Sequence, residues 1–92
     1  MSYEVLVHTK AQEYYCQQDK KLQKRLKEAL KELSKDPHNS RPKADIKKLA
    51  GTKRRQDAYR LRVGNYRIVY SIENKKIYVT IIFHRGKEYQ EL

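Results

Sequence analysis

Residues Tyr59 to Tyr70 read YRLRVGNYRIVY. Gly64-Asn65 has the chemistry of a two-residue β-turn, because both residue types tolerate the positive φ such turns demand. Folding the stretch about that pair sets Val63 against Tyr66, Arg62 against Arg67 and Leu61 against Ile68. Arg60 then faces Val69, and Tyr59 faces Tyr70. One face of the hairpin carries Tyr59, Leu61, Val63, Tyr66, Ile68 and Tyr70, which is a core face. The other gathers Arg60, Arg62 and Arg67. Like charges directly opposite each other destabilise a strand pair, and a domain this small has little stability to spare. A docked polyanion is the simplest reason to keep the cluster, and phosphate is what arginine forks fit best.

The charge around the hairpin is local. The 92 residues hold 22 Lys+Arg and 11 Asp+Glu, a formal net charge of +11. Ten of the basic residues but only two acids (Asp45, Asp57) fall between Arg41 and Arg67. The rest of the chain is nearly balanced. Such a patch points first to nucleic acid, then to an acidic protein, and last to an anionic membrane. No long apolar run and no basic amphipathic helix with bulky aromatics support a membrane. Cys16 is the only cysteine, so no internal disulfide can form, and a reducing, cytoplasmic setting is expected. The opening MSYEVLVH has a strand pattern and not a charged start with an apolar run, so no signal peptide is expected.

Working outward from the hairpin, Tyr3 to His8 alternates as a first strand. Thr9 is expected to cap a short helix over about Lys10 to Gln18 that packs through Ala11, Tyr14 and Tyr15. Asp19 is a good N-cap for a second helix to about Lys35. Leu22, Leu26, Ala29, Leu30 and Leu33 form its single apolar stripe. Asp36-Pro37 stops it, because the residue before proline avoids the α region. Pro37 to Arg55 reads as irregular, with Ile46 and Leu49 as apolar anchors. Strands follow over about Gln56 to Val63, Tyr66 to Glu73 and Ile77 to His84, with Asn74-Lys75 as the second turn. The expected fold is α+β, a small single domain over residues 1–92. Its order is β-α-α-β-β-β, a twisted antiparallel sheet with the helix pair packed on one face. Regular pairing about Asn74-Lys75 sets Arg67 against Ile82 and brings His84 onto the arginine face.

That open face can bind RNA or DNA, or it can cut RNA. Metal-free cleavage uses the 2′-hydroxyl as nucleophile and needs a proton acceptor, charge stabilisation at phosphorus and a proton donor for the 5′-oxygen. Arg60, Arg62, Arg67 and Arg85 serve the second need and are poor proton carriers. His84, Glu88 and Tyr89 are the candidates for proton transfer, imidazole being the natural one near neutrality. For His84, packing at a strand end competes evenly with that role. Tyr59, Tyr66 and Tyr70 are expected in the core. Cys16 has no histidine nearby in sequence and is expected to be a small buried hydrophobe. His8, His38 and His84 are scattered and no HxxxH or CxxC spacing occurs, so no metal and no cofactor is expected.

Taken together, KLAG at Lys48 to Gly51, YRLRVGNYRIVY at Tyr59 to Tyr70 and FHRGKEY at Phe83 to Tyr89 resemble the RelE/ParE superfamily of toxin–antitoxin toxins, more closely its RelE branch. The resemblance spans nearly the whole chain. It implies a RelE-like fold and a ribosome-dependent mRNA endonuclease that cuts in the A site, leaving a cyclic phosphate and a 5′-hydroxyl. It implies as partners the ribosome, mRNA and a RelB-like antitoxin, in a toxin–antitoxin heterotetramer. By position, Arg60 and Arg62 correspond to basic residues at the scissile region and Arg67 to the arginine that stabilises phosphate charge. Arg85 corresponds to the basic residue at the leaving group, and Tyr89 to the aromatic that stacks on a base. Lys47, Lys48, Lys53, Arg54 and Arg55 are expected to contact ribosomal RNA. Well-known RelE enzymes carry lysines at the positions of Arg60 and Arg62, so a lysine base is not carried over. Two other readings stay open: a ParE-like poison of DNA gyrase, which cuts nothing, and a non-cleaving RNA- or ribosome-binding module.

Overall fold

A computed structural model describes residues 3–49 and 58–85. Tyr70 lies at its centre. The ring is fully buried, stacks on Tyr59 at 5.6 Å between centroids, and its hydroxyl donates to the Pro37 carbonyl at 2.8 Å. Burial pushes the Tyr70 phenol well above its ordinary pKa, so it stays a donor. That bond ties the sheet to the segment leaving the second helix.

Seven elements are described: β1 (Glu4–Val7), α1 (Thr9–Cys16), α2 (Lys20–Leu33), β2 (Asp45–Lys48), β3 (Ala58–Val63), β4 (Tyr66–Glu73) and β5 (Lys76–His84). They form one five-stranded sheet in the order β1-β5-β4-β3-β2. The sheet is mixed rather than wholly antiparallel, because β1 pairs with β5 in parallel. A parallel pair needs a long crossover, and everything from α1 to β4 supplies it. The strand β2 falls inside the stretch expected to be irregular. Its four residues, DIKK, are too short to show a period, but Ile46 opposite Leu61 buries enough to hold the edge.

The α1 start differs from expectation by one residue. His8, not Thr9, is the N-cap: its Nδ1 accepts from the Lys10 N–H at 3.1 Å. Asp19 caps α2 as expected, accepting from the Leu22 N–H at 2.8 Å. Leu26 and Leu33 are fully buried, with Leu22, Ala29 and Leu30 partly buried around them. The α2 stripe thus packs on Leu61, Ile68 and Tyr70, and Ala11, Tyr14 and Tyr15 pack from α1. Cys16 is exposed, contrary to the expectation of burial, because it sits on the last turn of α1 away from the sheet-facing Ala11.

Arg41 leaves the basic patch altogether. Its guanidinium donates to the Glu32 carboxylate (3.1 Å) and to the carbonyls of Glu32 (2.8 Å), Asp36 (2.8 Å) and Asn39 (2.7 Å). It therefore ties the last turn of α2 to the segment that follows it. The hydrogen bond from Arg41 is the main cause that holds the Glu32 carboxyl below its usual range.

Among the described residues no helix is long and apolar enough to cross a membrane. The β4–β5 turn places both Asn74 (φ 52°) and Lys75 (φ 62°) in the left-handed region. Asn accepts that at little cost, lysine does not. Lys75→Gly should therefore stabilise the protein by about 0.5–1 kcal/mol, read as a higher urea midpoint with an unchanged slope. Leu26→Ala should cost about 2–5 kcal/mol in the same titration.

Candidate functional site

The β3–β4 hairpin has the register expected of it: Val63 faces Tyr66, Arg62 faces Arg67, Leu61 faces Ile68, Arg60 faces Val69 and Tyr59 faces Tyr70. Residues directly opposite each other in a sheet point to the same side. The rows therefore extend across four strands. Ile46, Leu61, Ile68 and Ile82 form a buried row on the helix side. On the open side, one row runs Asp45, Arg62, Arg67, Phe83, and the next runs Lys47, Arg60, Val69, Ile81.

The β5 register departs from regular pairing. Tyr70 faces Val79 but Val69 faces Ile81, so Thr80 is an extra residue, a β-bulge. The Thr80 hydroxyl donates to the Val69 carbonyl at 3.1 Å. Beyond the bulge every β5 side chain swaps sides. Arg67 is opposite Phe83 instead of Ile82, and His84 is opposite Tyr66. The expectation that His84 joins the arginine face is thus corrected: its ring packs edge-on against Tyr66 at 4.9 Å, on the helix side.

Four arginines lie near enough on this face that Arg60, Arg62 and Arg85 all act electrostatically on Arg67. Arg85 follows β5 directly, and its N–H donates to the Asn65 carbonyl at 2.6 Å, which places it beside the Gly64-Asn65 turn. Arg67 reaches the same turn, its Nη1 donating long bonds to the carbonyls of Gly64 (3.4 Å) and Tyr66 (3.3 Å). Partial desolvation, and then the charges of Arg60, Arg62 and Arg85, lower the Arg67 pKa from its ordinary value, and Asp45 opposes them. Asp45 gives Arg62 an ion pair of 3.9 Å with both side chains more than half exposed (54% and 58%), a contact worth little. The Arg60 Nε–H is buried and donates to no acceptor among the described residues. An orphaned buried donor of this kind costs about 1–3 kcal/mol.

The other sequence-derived residues separate. Lys47 shares the open face beside Arg60, while Lys48 is opposite Tyr59 on the other side. Lys53, Arg54, Arg55 and Tyr89 lie outside the described residues. Tyr59, Tyr66 and Tyr70 pack in or against the core as expected. Among the described residues no group of three or more His, Cys, Asp or Glu could hold a metal ion.

Arg25 is the residue that the sequence did not flag. A Cβ built on Gly64 would lie 2.7 Å from its Nη2, so the α2 arginine closes over the hairpin turn. No sequence period announces a contact between a helix and a turn 39 residues away.

A sequence-family model for the ParE toxin of type II toxin–antitoxin systems (parDE) matches residues 7–89. The chain belongs to the RelE/ParE toxin superfamily. The toxin fold in the archaeal RelE–RelB complex of Pyrococcus horikoshii OT3 is 32% identical, with a TM-score of 0.79 over 96% of this chain and 100% of that one. In the RelB–RelE antitoxin–toxin complex of Methanococcus jannaschii the values are 27%, 0.67, 89% and 92%. The RelBE2 toxin–antitoxin complex of Mycobacterium tuberculosis shares the fold at 22% identity and a TM-score of 0.75, over 92% and 100% of the two chains. No curated protein matches the sequence.

Gly64 (φ 60°) is the turn residue with positive φ, Asn65 not sharing that conformation. Gly64→Ala should cost about 1–2 kcal/mol. The same substitution beside Arg25→Ala should cost nearly as much, because the Arg25 head can swing away and the backbone strain cannot. A double-mutant cycle in urea measures both.

Proposed function

We propose that the protein is the toxin of a toxin–antitoxin module and cleaves mRNA in the ribosomal A site without a metal. The observation that carries this reading is the convergence of Arg60, Arg62, Arg67 and Arg85 on one open sheet face. In the reaction the substrate 2′-oxygen attacks phosphorus and the bond from phosphorus to the 5′-oxygen breaks. The products are a 2′,3′-cyclic phosphate and a 5′-hydroxyl. One proton leaves the 2′-hydroxyl and one reaches the 5′-oxygen. Arg67, flanked on β3 by Arg62 and Arg60, neutralises the negative charge that builds on the phosphoryl oxygens. Arg85, beside the turn, is the cation assigned to the departing oxygen. Permanent cations stabilise this transition state without moving a proton. His84 faces away beside Tyr66, which supports catalysis by charge stabilisation and by the alignment the ribosome imposes on the message.

The partner is an antitoxin. Two structures more than 25% identical to this chain are toxins in complex with RelB. A toxin of net charge +11 favours a partner segment with acidic residues, which would approach Arg67 or Arg85 and quench the site. Between β1 and the helix pair a groove of about 450 Å³, lined by Val5, Val7, Tyr15, Leu30 and Ile82 with Lys27, offers the apolar part of such a segment a seat. The module acts in the cytoplasm, where ribosomes are. Lys47 and the basic Lys53-Arg54-Arg55 stretch fit contacts to ribosomal RNA.

The ParE description of the matching family supports a second reading, poisoning of DNA gyrase. That activity needs no cluster of arginines on one sheet face, so the nuclease reading ranks first.

Purified protein mixed with programmed ribosomes should cut the message at the A-site codon, mapped by primer extension. Arg67→Ala should reduce that cleavage by at least about 100-fold, since removing one transition-state charge contact has that scale, while its urea midpoint stays within error. Unchanged cleavage by Arg67→Ala sinks the assignment. Absence of cleavage by folded unmodified protein turns the question to supercoiling assays.

A further inference from the structure

The Thr80 bulge has put an aromatic ring, not an imidazole, among the arginines. Phe83 is half-buried on the open face, directly opposite Arg67, with Arg62 one strand further on. The adjacent row continues the same division: Lys47 and Arg60 are basic, Val69 and Ile81 apolar. The open face therefore has a cationic half on β2, β3 and the tip of β4, and an apolar half on β4 and β5. Neighbouring strands lie about 4.8 Å apart, so Phe83 and Arg62 stand about 10 Å apart with Arg67 between them. A nucleotide has the same two-part character, a charged phosphate and a flat apolar base. Proteins that hold single-stranded nucleic acid pair a basic track with aromatic rings in this way.

We propose that Phe83 is a substrate-binding residue: its ring stacks on a base of the bound RNA strand while Arg67 and Arg62 hold the neighbouring phosphates. The inference rests on the RNA-cleaving reading above and adds the contact that orients the base. Stacking on a ring tolerates any base, so Phe83 supplies affinity and orientation rather than sequence choice. The bulge is what makes the contact possible. With regular pairing Ile82 would take this place, and a branched aliphatic chain offers no π-face.

Two experiments test it. In the ribosomal cleavage assay Phe83→Tyr should keep cleavage within about twofold, and Phe83→Leu, which keeps bulk but loses the ring, should lower kcat/KM by about 10-fold or more. Wild-type cleavage by Phe83→Leu refutes the proposal. The second experiment does not depend on cleavage. The chain has no tryptophan, so Phe83→Trp introduces a single indole that can be excited selectively over the eight tyrosines. A short end-labelled RNA carrying a 2′-deoxy sugar at one position is titrated at low salt, with anisotropy reporting binding and tryptophan emission reporting stacking. Emission quenched in step with anisotropy supports the contact. Binding by anisotropy with unchanged emission overturns it and leaves the nuclease reading standing. Quenching by RNA together with no ribosomal cleavage by the unmodified protein removes the nuclease reading and leaves the stacking contact. No binding at low salt overturns the proposal.

Discussion

Leu61, Ile68 and Ile82 lie side by side on three adjacent strands, sealed from water by the helix pair. Their burial sets everything on the other side of the sheet. Each such side chain contributes about 1.5–3 kcal/mol when removed from water. The repulsion between opposed charged residues on an exposed face is smaller, a fraction of that per pair. The apolar row therefore wins, and Arg62 must face Arg67 whether or not that placement is comfortable. Core packing thus forces the opposed arginines onto the open side of the sheet, where the proposed RNA contact would offset their repulsion.

The same logic explains the bulge. Val79 and Ile82 are both buried although three positions separate them, a spacing that an unbroken strand cannot bury on one side. Inserting Thr80 lets both reach the core, and its hydroxyl takes up the Val69 carbonyl that the extra residue disturbs. The functional outcome is that Phe83 joins the arginines and His84 retires beside Tyr66. A site built from permanent cations and a ring suits a reaction in which charge stabilisation and alignment dominate over proton transfer.

Not all of the positive charge belongs to that site. Arg41 is bound to Glu32 of α2 and to the Asp36 and Asn39 carbonyls of the following segment, where it acts as a structural strap. Lys48 points to the opposite side from Lys47. Net charge counts such residues equally, but hydrogen bonding and strand parity sort them into structural and surface groups.

Much of the fold was legible because its signals are local. YRLRVGNYRIVY carries its own turn, its own alternation and hence its own register, and Asp19 with the Leu22–Leu33 stripe defines α2 without outside help. The arginine face follows from that alternation alone. The rest depended on packing between distant segments. DIKK is too short to show a period and becomes a strand only because Ile46 meets Leu61. The parallel partnership of β1 and β5 has no local sign. Above all, Ile81-Ile82-Phe83 is apolar at three successive positions, so either phase of alternation reads equally well. Residues 59–70 by themselves determined where the arginine charges of the open face gather. Only the tertiary structure decided whether His84 or Phe83 stands with them, because the helix-covered core, and not the strand's own pattern, selects which side of β5 is buried.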